Sequence, residues 1–273
     1  MFKDRFKISI ILSVIIVVVA ITASAGGLFI GDLYRDNASI KAAWYGNDLV
    51  TLFVAVPLMV ISLLLSMRGS QRAQLIWMGT LWYMVYNYIF YLYAAAFNKF
   101  FLLYVVLFTL STYALIFAMM NADPKEISRK FNLRTPVKWI SGYMLFFAAL
   151  LGVLWIASSL SFIITGEVPQ DIIKTGHPTG VVYATDLSLL VPALVLSAIL
   201  LWRRQPWGYA LSAIVLIKSI TYSLVLIVMS MVAYIRVGLG DAFLPLWVFL
   251  STSCLIFSWL LLGNMKSNNK SEP

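Results

Sequence analysis

Lys218 and Asn87 are polar side chains near the middle of long apolar runs, where polarity has a physical cost. A lysine at the centre of a bilayer costs roughly 2.5–3.5 kcal/mol, and from mid-run its amine cannot snorkel to either surface. It therefore needs Asn87, Tyr83 or a nearby tyrosine such as Tyr222 beside it, or else a water-filled cavity. Paired, it would be a structural hydrogen bond. Left open, it could bind an anionic group or carry a proton.

Acidic residues form the second candidate cluster. Asp32, Asp36 and Asp48 fall in the first half of the chain, and Glu167, Asp171 and Asp186 in the second, all near one expected membrane face. Carboxylates from two halves could converge on a small ion or share a proton, with Lys174 and His177 contributing. Against that stands a structural role. Asp48 and Asp186 sit where apolar runs begin, so each could accept from free N–H groups at a helix start.

Other chemistries are excluded by what is missing. Cys254 is the lone cysteine and His177 the lone histidine, so neither a disulfide nor a histidine-rich zinc site can be assembled. No P-loop, dinucleotide fingerprint, metal-binding motif or nucleophile elbow occurs. No catalytic residue, metal or cofactor is assigned.

The elements that must position these residues follow from composition. Of the residues, 62% are apolar and 11% charged, against roughly 25% charged in a soluble domain. Lipid must be the main solvent. Eight runs near 8–30, 47–67, 74–97, 100–121, 139–165, 186–203, 207–235 and 243–264 have the length of a spanning helix. The expected fold is an all-α polytopic membrane protein with eight transmembrane helices.

The net charge of +9 is distributed between these runs rather than along one face, which argues for membrane topology and against nucleic acid. Arg68 and Arg72 lie on one side, as do Lys125, Arg129, Lys130, Arg134 and Lys138, and then Arg203 and Arg204. Lys3, Arg5 and Lys7 precede the first run, and Lys266 and Lys270 follow the last. The opposite connections hold only Arg35, Lys41, Lys99, Lys174 and Arg236. The richer side is expected in the cytoplasm with both termini, in a membrane of the bacterial cytoplasmic kind. A competing reading takes Ala23-Ser24-Ala25 as a signal-peptide cleavage site, but apolar character continues to Ile30.

Two stretches resemble each other within the chain. Gly31-Asp32-Leu33-Tyr34-Arg35-Asp36 matches Gly166-Glu167-Val168-Pro169-Gln170-Asp171, and Tyr45-Gly46-Asn47-Asp48-Leu49 matches Tyr183-Ala184-Thr185-Asp186-Leu187. Pro57 and Pro192, Arg68 and Arg203, and Trp77 and Trp207 follow in order. This predicts two parallel four-helix repeats, 1–135 and 136–273, with a ligand site between them. Asn87, ten residues after Trp77, and Lys218, eleven after Trp207, then occupy near-equivalent places, and the third and seventh helices should face each other.

The third run is rich in aromatics on two neighbouring faces: Trp82, Tyr86 and Tyr93, then Tyr83 and Tyr91. They could wall a lipid-like or quinone-like ligand, or simply pack. Asp123-Pro124 followed by Glu126 predicts a short helix start within the basic connection 121–138, a place for anionic lipid. Asn37-Ala38-Ser39 is a sequon of little specificity.

Three functional classes remain. A carrier or small-ligand-binding membrane protein leads, its candidate residues being Lys218, Asn87, Tyr83, Tyr222, Asp48 and Asp186. A non-catalytic subunit, scaffold or sensor is second. A membrane-embedded enzyme using carboxylate, lysine or tyrosine chemistry is third.

Overall fold

A computed structural model describes residues 2–266, with side chains from Phe6 onward. Lys270, counted above on the basic side, lies outside the described residues, as do the side chains of Lys3 and Arg5. The chain is an all-α polytopic membrane protein. Among the described residues, seven helical segments are long and apolar enough to span: Phe6–Phe29, Ala38–Met67, Phe101–Asn121, Val137–Thr165, Val181–Trp202, Pro206–Val237 and Leu244–Gly263.

In chain order the helices are α1 (Phe2–Phe29), α2 (Ala38–Val50), α3 (Val56–Met67), α4 (Gln71–Tyr93), α5 (Phe101–Asn121) and α6 (Pro124–Arg129). They continue with α7 (Val137–Thr165), α8 (Gln170–Thr175), α9 (Val181–Thr185), α10 (Val191–Trp202), α11 (Pro206–Val237) and α12 (Leu244–Gly263).

The expected third span, α4, has the necessary length but not the apolarity. Its 23 residues bury Trp77, Tyr83, Tyr86, Tyr88, Tyr91 and Asn87. Packing against α3, α5 and α11 explains this. A helix enclosed by protein need not dissolve in lipid, so it can carry hydroxyls and amides.

Small residues let the central helices approach. A Cβ at Gly46 of α2 would lie 2.6 Å from Met229 Cα, and one at Gly79 of α4 would lie 2.6 Å from Ile217 Cβ. α11 therefore touches both α2 and α4 at its backbone, and the third and seventh expected helices do face each other. The short helix α6 forms as expected, with the Asp123 carboxylate accepting from Lys125 N at 2.9 Å and Glu126 N at 3.1 Å.

The spans Ala38–Met67 and Val181–Trp202 have the same local design. π-helical segments at Thr51–Ala55 and Asp186–Leu190 run into α3 and α10, each with a proline in its first two positions. Each helix ends at an arginine, Arg68 or Arg203, followed by a residue of positive φ: Gly69 at 88° and Arg204 at 53°. Proline removes one backbone donor, and the wider turn before it lets the carbonyls rearrange. These features keep one constant spacing along the chain. That spacing pairs Thr51 with Asp186 and Tyr83 with Lys218, a register different from the sequence matches of Asp48 with Asp186 and of Asn87 with Lys218.

The basic connections 68–72, 122–136 and 203–205 lie at one end of the bundle, the basic end. Connections 30–37, 94–100, 166–180 and 238–243 lie at the other, the acidic end.

Candidate functional site

At the acidic end, among α2, α7, α10, α11 and α12, is a cavity of about 750 Å³. Trp44 and Asn47 of α2, Leu151 and Trp155 of α7, and Leu190 and Asp186 beside α10 form part of its wall. Tyr222 and Lys218 of α11 and Trp247 and Leu250 of α12 complete it. Its mouth carries Asp171, Lys174, His177 and Asp241. The volume lies within the range of about 300–1,000 Å³ typical of small-molecule sites, and the mainly apolar wall with a few polar groups is also typical.

Lys218 stands at the deep end. It has no solvent exposure, and its Nζ has no hydrogen-bond partner. The amine lies 3.2 Å from the centroid of the Tyr86 ring and 4.6 Å from that of Tyr222. Ring faces attract a cation but leave its N–H donors without acceptors. Tyr86 also reaches the other polar group of the wall, donating its hydroxyl to Asp186 Oδ1. Trp155 Nε1 donates to Asp186 Oδ2 at 2.8 Å, while its ring stacks on Tyr183 at 4.4 Å. The Tyr183 hydroxyl in turn donates to Asp171 at 2.7 Å.

Three expectations need correction. The first is the Lys218–Asn87 pair. Asn87 belongs to a separate polar cluster, where its Oδ1 accepts from Asn47 Nδ2 at 2.8 Å. Thr51 Oγ1 donates to Asn47 Oδ1 at 3.2 Å and lies 2.8 Å from the Tyr83 hydroxyl. Tyr83 and Asn87, one turn apart on α4, point to Thr51 and to Asn47 at the end of α2, whereas Tyr86 points to α11. Lys218 does find the expected Tyr222, and Tyr86 more closely.

The second correction concerns capping. Asp48 and Asp186 lie inside continuous helices, and Asn37 caps α2, its Oδ1 accepting from Ile40 N at 3.0 Å. Asp48 instead accepts from Tyr34 at 2.5 Å and Tyr91 at 2.9 Å, with Gly27 of α1 packed directly against it. Burial, followed by the neighbouring Asp48 carboxylate, pushes the Tyr34 phenol well above its ordinary range. The sequence placed both helix starts too late because Ala38–Tyr45 and Val181–Thr185 are less apolar than the residues after them.

The third is convergence of the acids. Among the described residues no group of His, Cys, Asp or Glu is arranged to hold a metal ion. Asp36 accepts from Ala96 N at 2.9 Å, and Asp241 accepts from Ser230 and from Trp247 Nε1. Asp36, Asp48, Asp171, Asp186 and Asp241 each accept from a separate set of donors. Asn37, in the sequon, donates to the carbonyls of Lys174 and Thr175 at 3.2 and 3.3 Å.

Of the six candidate residues, Lys218, Tyr222 and Asp186 thus share the cavity. Asn87 and Tyr83 form the α2–α4 cluster, and Asp48 sits in a tyrosine pocket beside α1. Trp155 and Asn47 were missed. Asn47 carried one signal, an amide two residues after the tyrosine of the internal match, whereas Trp155 is one aromatic among many. At the mouth, burial lowers the His177 pKa from 6.5, opposed by Asp36 and the Ala94 backbone.

The chain matches no protein-family model, no curated protein and no solved structure.

Proposed function

We propose that this protein binds a small ligand carrying one anionic group in the cavity between its halves, as a carrier or receptor of the cytoplasmic membrane. One observation carries the reading: the Lys218 amine is fully buried at the deep end of a 750 Å³ cavity without a hydrogen-bond acceptor. A carboxylate or phosphate would supply acceptors and opposite charge where both are strongest, away from water. Tyr86 and Tyr222 hold the amine by their ring faces, and Asp186 is kept occupied by Tyr86 and Trp155. The N–H donors of the lysine are therefore available to a ligand group that displaces the side chains covering the amine.

The two halves, 1–135 and 136–273, are best explained by duplication, supported by the matched π-helical segments, prolines and arginine-ended turns. The cation bias supports an orientation with the basic end in the cytoplasm and the cavity mouth outside. Anionic lipid is the expected neighbour of connection 121–138.

The test is thermal stabilisation of the purified protein by a panel of carboxylates and phosphate esters. A ligand at a hundred times its Kd should add about 2.7 kcal/mol. The effect should vanish in Lys218→Gln. Absence of any Lys218-dependent stabiliser would remove the proposal. Counterflow in proteoliposomes then separates a carrier from a receptor.

A further inference from the structure

The wall of the cavity is not equally closed on all sides. In the first half, α1 and α5 pack together at the acidic end, where Gly26 lies directly against the Phe100 ring. The corresponding pair in the second half is α7 and α12. Their hydrogen bonds and ring contacts lie toward the basic end: Tyr143 stacks on Phe257 at 4.2 Å and its hydroxyl sits 2.8 Å from Ser253. Phe146 meets Phe249 edge-on at 6.4 Å. Phe147, Leu151 and Leu154 of α7 and Trp247 and Leu250 of α12 line the cavity from this level toward the acidic end.

The outward side of this seam is apolar as well. Val153 is 68% exposed and Ile156 50% on α7, as are Phe249 at 51% and Val248 at 45% on α12. Lipid-facing and cavity-facing surfaces are therefore continuous in chemistry, with a buried, unpartnered amine at the inner end.

We infer that the ligand is a membrane-resident anionic amphiphile with a hydrocarbon chain, a fatty-acid-like molecule, which enters sideways between α7 and α12. Its headgroup meets Lys218, and its chain lies along Leu151, Leu154 and Leu250 into the bilayer leaflet at the acidic end. This rests on the proposed role of Lys218. A small hydrophilic anion would satisfy the amine but leave the apolar wall against water, whereas a chain covers that wall. Passage through lipid also spares the headgroup from crossing a polar mouth that sets Asp171 and Asp241 against the single cation Lys174.

The experiment uses the full chain in nanodiscs of neutral phospholipid and a palmitate bearing a mid-chain diazirine. After irradiation, labelled residues are located by mass spectrometry. Label is expected within 147–154 and 247–250. Palmitate should compete about tenfold or more better than methyl palmitate, the contribution of one charge-assisted hydrogen bond. In Lys218→Gln the label there should disappear. If that variant does not fold, the comparison of acid with ester on the unaltered protein decides.

Two outcomes overturn the inference in distinguishable ways. Equal competition by acid and ester, together with Lys218-dependent calorimetric binding of hexanoate, would leave an anion site that takes a water-soluble ligand. Equal competition with no Lys218-dependent binding of hexanoate would remove the anion site as well.

Discussion

Lys218 holds its ammonium 3.2 Å above the Tyr86 ring, while the hydroxyl of that same ring donates to Asp186. One tyrosine thus separates a buried cation from a buried carboxylate and serves both. Direct pairing would have neutralised the lysine. Separation leaves it available, and that is the physical basis of a site in a region where an unpaired charge is costly.

Tyr86→Phe tests this division. The ring face survives and the hydroxyl does not, so Asp186 keeps only the Trp155 donor. A loss of about 1–3 kcal/mol is expected in detergent melts, the cost of unpairing a buried acceptor. Tyr86→Leu also removes the ring face and should lose more. Equal melting of both variants and the parent would show that Tyr86 supports neither charge.

Asp48 is held by Tyr34 and Tyr91 rather than by helix N–H groups. Asp48→Asn keeps one acceptor oxygen but sets an amide donor against the other phenol, and should destabilise by about 1–3 kcal/mol. Asn37, the observed cap of α2, should lose about 1 kcal/mol on Asn37→Ala. An unchanged melt for Asp48→Asn would restore the cap-like reading.

Glycines divide by what surrounds them. Gly46→Ala drives a methyl into the backbone at Met229, so α2 and α11 must separate, at about 1–3 kcal/mol. Gly31→Ala meets open space and should stay within about 0.5 kcal/mol of the parent. Comparable melts for the two would argue against the α2–α11 contact.

His177 predicts a pH dependence at the cavity mouth. Burial lowers its folded pKa below the ordinary 6.5, so the folded state prefers the neutral imidazole. The unfolded segment binds the proton more readily, and stability gained from burial is full above that value and lost as pH falls through it. Hydrogen-exchange protection factors in 170–177, taken relative to the unstructured chain at each pH, should fall on acidification below 6.5. In His177→Gln this loss of protection should be absent, and a variant that still responds identically would place the effect elsewhere.

Reporter fusions check orientation. Fusions after Arg72, Arg134, Arg204 and Lys270 should read cytoplasmic, and those near Lys41, Lys174 and Asp241 external. An external reading at Lys270 would contradict an even number of spans. It would then be α4, the least lipid-like of the long helices, whose crossing fails.

Much of the fold was legible because lipid imposes a simple rule: about 20 apolar residues per crossing, with polar connections between. That rule determined a multi-pass helical chain, its run boundaries to within a few residues apart from the early starts at Ala38 and Val181, and the oddity of Lys218 at mid-depth. Facing of α4 and α11 followed from the internal matches, though in a register that the π-helical turns later shifted. What the sequence did not carry was the direction in which each polar side chain points. Tyr83, Tyr86 and Asn87 lie within little more than one helical turn, and a small rotation of α4 decides which meets α2 and which meets α11. Asp48 and Asp186 looked like equivalent caps because one-dimensional spacing hides how deep a residue sits once the helix begins earlier. Only packing resolved these choices: backbone contact at Gly46 and Gly79 fixes the rotation of three helices at once, and with it the lysine that remains without an acceptor.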